Sequence, residues 1–259
     1  MKLTVIIPVY NEASTFSTLL ERVLAVPVDK EVLVVDDASD EETAEQLRDV
    51  ITGEAQLFTH AKNAGKGAAI RTALQHAKGD VIIIQDADLE YFPEDYAILL
   101  KAYRNSGARA VYGVRDLGGR SFLMRFGNNF LTWLTNLFFR SNLHDMETCY
   151  KMIDRRLMQS LTLKSRRFEI EAEITAKLLL RDVDIVEVPI HYQPRAEEEG
   201  KKLSPLDGLP ALATLLKYRL GLPEETNIKQ IESSILGVGA LAVIASLVLV
   251  LRAVWPNRE

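Results

Sequence analysis

The sequence predicts an α/β protein: a mixed, mostly parallel sheet with helices on both faces, followed by one membrane-spanning helix. Three observations carry that prediction. Short runs of β-branched and other large apolar residues alternate with stretches of helical periodicity over short connections, the pattern of a parallel sheet wrapped by helices. Most of these runs end in acids, at the strand edge where open α/β sheets place their ligands. Residues 233–251 then hold 19 positions without a charge, between Glu232 and Arg252.

The elements follow in order. Residues 3–8 form a first strand that ends in Pro8-Val9-Tyr10-Asn11-Glu12. Ser14 or Thr15 is placed to cap the next helix, whose Leu19, Leu20, Val23 and Leu24 share a face. Val32-Leu33-Val34-Val35 is a second strand closed by Asp36-Asp37-Ala38-Ser39, and a helix over about 41–50 comes after it. Leu57-Phe58 marks a weaker third strand, leading through Asn63-Ala64-Gly65-Lys66-Gly67 into a helix over about 68–77. Val81-Ile82-Ile83-Ile84 is a strand buried on both faces, and it runs straight into Asp86, Asp88 and Glu90. A helix over about 93–105 and a strand over about 110–114 complete the regular alternation.

The second part is less regular. Residues 122–139 crowd large apolar side chains, punctuated by Arg120, Arg125 and Arg140. A core helix pair and a surface dipping into a membrane interface, arginines at headgroup level, both fit this stretch. A strand over about 149–153, a helix over about 170–180 and a strand over 185–188 follow. The organisation expected is one catalytic domain over 1–220, closing on an interfacial helix at about 205–220. A linker over 221–232 and a single transmembrane helix over 233–255 then end the chain. Nineteen uncharged positions are about enough for a ~30 Å hydrocarbon core, with Trp255 suited to the boundary.

Composition excludes several classes. With 47% hydrophobic and 26% charged residues among 259, the chain is globular with a sizeable core. A net charge of −5 argues against a nucleic-acid binder. The single cysteine, Cys149, forms no internal disulfide, and a Cys/His metal site lacks ligands. The apolar run at the N-terminus is too short for a secretory signal. The expected location is therefore a single-pass membrane protein with its catalytic domain in the cytoplasm.

The glycine loop matches neither common phosphate fingerprint. A P-loop needs Ser or Thr after Gly-Lys, and here Gly67 follows Lys66. The dinucleotide fingerprint belongs after the first strand, whereas this loop follows the third. Its glycines permit a tight turn and a close backbone approach at a helix N-terminus. Glu12, Asp37, Asp86 and Asp88 each follow a strand of one sheet and so share an edge. Each alone is commonly a cap. Together they suit a metal-bridged nucleotide diphosphate, because Mg²⁺ takes one or two carboxylates plus phosphate oxygens.

Pro8-Val9-Tyr10-Asn11-Glu12, Val35-Asp36-Asp37-Ala38-Ser39, Asn63-Ala64-Gly65-Lys66-Gly67 and Asp86-Ala87-Asp88 together resemble family 2 glycosyltransferases with the GT-A fold. Asp145-Met146-Glu147-Thr148-Cys149-Tyr150-Lys151 and Glu199-Gly200-Lys201-Lys202 are similar to the dolichyl-phosphate mannose synthase and polyprenyl-phosphate sugar transferase branch. The resemblance implies an inverting transfer from a GDP- or UDP-linked sugar to a polyprenyl phosphate at a lipid membrane, with Mg²⁺ or Mn²⁺. It puts Pro8, Tyr10, Glu12, Val35, Asp37 and Lys66 at the donor, with Asp86, Ala87, Asp88 and Arg115 near ribose and diphosphate. Asp86, Asp88 and Arg115 would carry catalysis. Asp86, Asp88 and Glu90 would be the metal ligands, and Arg125 and Lys202 would meet the lipid phosphate. A phosphate monoester, with a second pKa near ~6, is already an anionic nucleophile at neutral pH. Two alternatives stay open: a tethered transferase acting on a sugar hydroxyl or lipid-linked saccharide, and an idle nucleotide-binding subunit.

Overall fold

The computed structural model describes residues 1–119, 121–195 and 208–238. Seven strands make one sheet in the order β3-β2-β1-β4-β6-β5-β7. These are β1 (Leu3–Val9), β2 (Lys30–Asp36), β3 (Ala55–Thr59), β4 (Val81–Ile84), β5 (Ala110–Arg115), β6 (Lys151–Asp154) and β7 (Ile185–Ile190). All neighbours are parallel except β6, which runs antiparallel between β4 and β5. The sheet is mixed and mostly parallel, as expected. β4 is buried at every position, which its Val-Ile-Ile-Ile sequence requires of a central strand.

Helices α1 (Ala13–Ala25), α2 (Glu41–Val50), α3 (Lys66–His76) and α4 (Tyr96–Ser106) connect the first strands. α5 (Phe122–Phe139), α6 (Arg155–Ser160), α7 (Ile170–Leu179), α8 (Gly208–Arg219) and α9 (Ile228–Val238) follow. A main core fills the sheet faces, and a second apolar cluster joins α5, α7, α8 and α9 through Leu134, Phe138, Ala172, Leu215 and Ile235. On the edge away from the acids, Glu31 locks three elements. Its Oε1 accepts from Thr4 Oγ1 at 2.6 Å, Lys78 N at 2.6 Å and Gly79 N at 2.8 Å. Gly79 has to be glycine here, since a Cβ would stand 2.6 Å from Thr4 Oγ1.

Four expectations need correction. The first helix is not capped by Ser14 or Thr15: it starts at Ala13 after Glu12. Thr15 Oγ1 instead donates to the Ala87 carbonyl at 2.8 Å, tying α1 to the acidic loop after β4. The interfacial helix at about 205–220 is α8, and Ala211 through Lys217 are all buried, so it packs as a core helix. The stretch 122–139 is one helix, not a pair, with one buried face and one exposed face. The single-pass location with a transmembrane helix is overturned as well. Among the described residues no helix is long and apolar enough to cross a membrane. The described α9 spans 11 residues. At ~1.5 Å each that is about half of a ~30 Å core. The rest of the expected span, 239–255, lies outside the described residues.

Candidate active site

The strand ends converge on a cavity of about 470 Å³ at the C-terminal edge of the parallel strands. Of the residues singled out from sequence, Pro8, Tyr10, Glu12, Asp37, Lys66, Asp86, Ala87, Asp88, Glu90 and Arg115 all line it. Val35 does not: it pairs with Pro8 inside the sheet and is fully buried. Arg125 is exposed on α5 and outside the lining. Lys202 lies outside the described residues.

Three loops at this edge hold a non-glycine residue in the left-handed region: Asn11 at φ 53°, Ala38 at φ 58° and Leu89 at φ 62°. Such backbone is costly and persists where surrounding bonds over-determine it. Around Asn11 they do, because Asn11 N donates to Ser39 Oγ at 3.1 Å and Asp40 N to Asn11 Oδ1 at 2.8 Å. At Leu89, the following Glu90 N donates to Asp88 Oδ1 at 3.1 Å.

The glycine loop is held by Asp37. Its carboxylate accepts from Ala64 N at 2.9 Å and Gly65 N at 2.6 Å, and His60 Nδ1 lies 2.6 Å away. The glycines serve a different partner from the one their sequence suggests. Gly65 sits at φ +95°, and a Cβ on Gly67 would stand 2.6 Å from the Ser165 carbonyl. Ala68 N donates to the Arg166 carbonyl at 3.1 Å. The backbone of 165–166 therefore lies across the α3 N-terminus, where a ligand phosphate would otherwise fit. Lys66, leaving this turn, places Nζ 2.7 Å from Asp86 and 3.1 Å from Glu171. Burial works against its charge, but Asp86, Cys149 and Glu171 raise its pKa well above the ordinary lysine value.

The acids differ in their partners. Asp86 is paired with Lys66. Glu90 accepts from the Tyr192 hydroxyl at 2.5 Å and from Arg195 N at 3.0 Å. Burial, with the charges of Asp86 and Glu90, pushes the Asp88 carboxyl up to about 7. Among the described residues, no three His, Cys, Asp or Glu side chains are grouped to hold a metal by themselves. The donor chemistry still suits a hard cation. A buried carboxyl held up by like charges is relieved by positive charge, and Mg²⁺ accepts one or two carboxylates completed by phosphate oxygens. Asp88, with Asp86 or Glu90 beside it, fits that role better than a three-acid cage.

Beyond the acids, Arg115 grips Asp145 through two bonds of 2.7 and 2.8 Å and donates to Asn128 Oδ1 at 2.7 Å. Both ends of this ion pair are nearly enclosed. Lys151, also buried, meets Glu171 at 2.6 Å. Burial, opposed by Lys151 and aided by Glu171, lifts the Glu147 carboxyl to about 7. Sequence reasoning missed Arg195, which reaches Glu12 Oε2 at 2.9 Å and the Asp88 carbonyl at 2.6 Å. It also missed Arg167, Phe168 and Glu171 in the lining. Glu171 carried a usable signal: an acid inside Ile170-Glu171-Ala172-Glu173-Ile174, a helix start too apolar to be a surface.

Residues 4–162 match the protein-family model described as Glycosyl transferase family 2. A dolichol-phosphate mannosyltransferase of Pyrococcus furiosus is 27% identical over 210 residues, 78% of this chain and 59% of its own length. The chain thus spans well under two thirds of that relative. A dolichyl-phosphate beta-glucosyltransferase of Mus musculus is 25% identical over 241 residues, 79% of this chain and 70% of the relative. An undecaprenyl-phosphate 4-deoxy-4-formamido-L-arabinose transferase of Aeromonas hydrophila is 37% identical over 106 residues, 38% of this chain and 32% of its own. Among solved structures, glucosyl-3-phosphoglycerate synthase from Mycobacterium tuberculosis, in complex with Mn²⁺, UDP and glucosyl-3-phosphoglycerate, superposes with a TM-score of 0.65. It is 19% identical, covering 86% of this chain and 81% of that one, which shows a shared fold.

Proposed function

The chain belongs to glycosyl transferase family 2, and from that premise we propose that it transfers a sugar from a nucleotide-sugar donor to a polyprenyl phosphate, inverting the anomeric carbon. One observation carries the reading: Asp86-Ala87-Asp88 stands mid-crevice, with the β1 and β2 loops on one side and Arg115 and Glu147 on the other. A nucleoside on the first side and a sugar on the second would span the acids with its diphosphate. The acceptor class is supported by the relatives named as dolichyl- and undecaprenyl-phosphate transferases.

Pro8 and Tyr10 form the wall for the base, and Glu12 supplies an acceptor for ribose hydroxyls. Asp37 acts one step back, by fixing the glycine loop that delivers Lys66. Lys66, held protonated by the acids around it, orients Asp86 towards the donor. A divalent cation held by Asp88 with Asp86 or Glu90 would offset the charge developing on the departing diphosphate. Arg115, locked by Asp145 and Asn128, presents a fixed positive edge to the same region. The acceptor phosphate attacks as an anion and needs no base. Phe122, Leu123, Phe126 and Trp133 form an exposed apolar ridge on α5, the helix that carries Asn128. That ridge shares its helix with the Asn128 that holds Arg115, and it suits the hydrocarbon of a lipid acceptor.

Glu147 favours a second reading, transfer to a hydroxyl, since a buried carboxyl near 7 suits a general base. The deciding experiment offers a panel of GDP- and UDP-linked sugars with Mg²⁺ or Mn²⁺, and polyprenyl phosphate or soluble glycan as acceptor. Sugar in a mild-acid-labile lipid is the expected product. Transfer confined to glycans would favour the second reading.

A further inference from the structure

Glu147 lines the cavity, yet no described residue hydrogen-bonds its Oε1. That oxygen is shut from solvent and has no hydrogen-bond partner among the described residues. The cations facing it are committed elsewhere: Lys151 to Glu171 and the Thr148 carbonyl, Arg115 to Asp145 and Asn128. Asp145 and Glu171 are its acidic neighbours, each already paired. No hydrogen bond ties the Glu147 carboxyl to another described residue, so a carboxyl group lining the cavity is left to accept from a ligand.

The sheet order says which part of the ligand arrives there. β1, β2 and β3 lie on one side of β4 and its acids; β6 and β5 lie on the other. Glu147 precedes β6, on the side away from Pro8, Tyr10 and Asp37. The diphosphate belongs at the acids between the two halves, where a divalent cation would offset the charge of both. Hydroxyl groups are what a nucleotide sugar offers beyond its diphosphate. We propose that Glu147 accepts a hydrogen bond from one hydroxyl of the donor sugar and thereby sets which sugar the enzyme takes. This rests on the donor reading above and deepens it: a site built around a hydroxyl rejects the analogue that lacks it far more strongly than an apolar pocket does.

The test compares wild type with Glu147→Met, which keeps bulk and removes the polar atoms, and with Glu147→Ala should the first fail to fold. Each is titrated with bare UDP and GDP, then with nucleotide sugars differing by one epimerised or missing hydroxyl. kcat/KM is measured for every donor consumed. Bare nucleotide should bind all variants alike. The preference of wild type for its best sugar over the matching deoxy analogue should shrink about tenfold or more in the variants. The Tm of Glu147→Met should be no lower than that of wild type, because an unpaired buried acceptor is gone. An unchanged preference overturns the inference while leaving the transfer reading intact. So does an equal fall in kcat for all donors, which is the mark of a base. If wild type consumes none of the nucleotide sugars with any acceptor, the transfer reading fails and the inference fails with it.

Discussion

Asp88 and Arg115 show how neighbours assign work to a side chain. Asp88 stands among carboxyls with its own pKa lifted to about 7, so it gains most from an arriving cation. Asp88→Ala should reduce turnover by about 10²-fold or more. It should also remove the gain in nucleotide affinity that Mg²⁺ or Mn²⁺ gives wild type, read by calorimetry with and without chelator. Near-normal turnover would refute the metal role. Arg115 and Asp145 are a buried ion pair, so removing one partner strands the other. Arg115→Ala should cost about 3–5 kcal/mol in a denaturant melt. The double variant with Asp145→Ala should cost clearly less than the sum of the singles. Additive losses would mean that the pair is not coupled. The acids were legible because each follows an apolar strand, and Arg115 through the family resemblance. Arg195 was not, since it joins the crevice by folding back to Glu12 across 183 positions of chain.

Elements are joined by a few polar clamps, and these set the stability of the edge and the shape of the crevice. Burial opposes the charge of Glu31, but hydrogen bonds from Thr4, Lys78 and Gly79, with the Lys2 charge, bring its pKa below the ordinary value. A lowered folded pKa stabilises above the unfolded value and is lost as pH falls through the folded one. Glu31→Gln should therefore cost about 1–3 kcal/mol near neutral pH. The gap should close as pH drops below about 4. A gap that stays constant down to pH 2 would contradict this, measured as urea midpoints across pH. At the other edge, Gly67→Ala forces a Cβ onto the Ser165 carbonyl. A loss of about 1–3 kcal/mol is expected, with weaker donor binding as Lys66 shifts. β1, β2 and β4 were readable as buried apolar runs. The crossing of 165–166 over the glycine loop was not, because no local pattern announces which distant backbone a glycine admits. Nor was the capping of α1: Thr15 looked like a cap but is spent on Ala87.

For the molecule as a whole, two halves meet at β4. The parallel half was visible in the regular alternation of strand and helix. In the other half the strands β6 and β7 and the helix α7 were readable. The antiparallel placing of β6 and the cluster of α5, α7, α8 and α9 were not, since they depend on long-range packing. α8 illustrates the limit, because its sequence suggests a surface helix and its neighbours bury it. The face of α5 left uncovered is specific: Phe122 is 77% and Phe126 57% exposed. Phe122→Ser with Phe126→Ser should change stability by no more than about 0.5 kcal/mol per site. It should raise KM for a long polyprenyl phosphate more than for a short one. Equal effects on both would remove the ridge from the account. The central claim is that the sugar goes to a phosphate oxygen of a polyprenyl lipid. The most direct measurement gives the enzyme, its best nucleotide sugar and divalent metal a choice between a polyprenyl phosphate and the matching polyprenol. The account predicts glycosylated lipid phosphate and an untouched alcohol. Sugar on the alcohol, with the phosphate left unmodified, would contradict it.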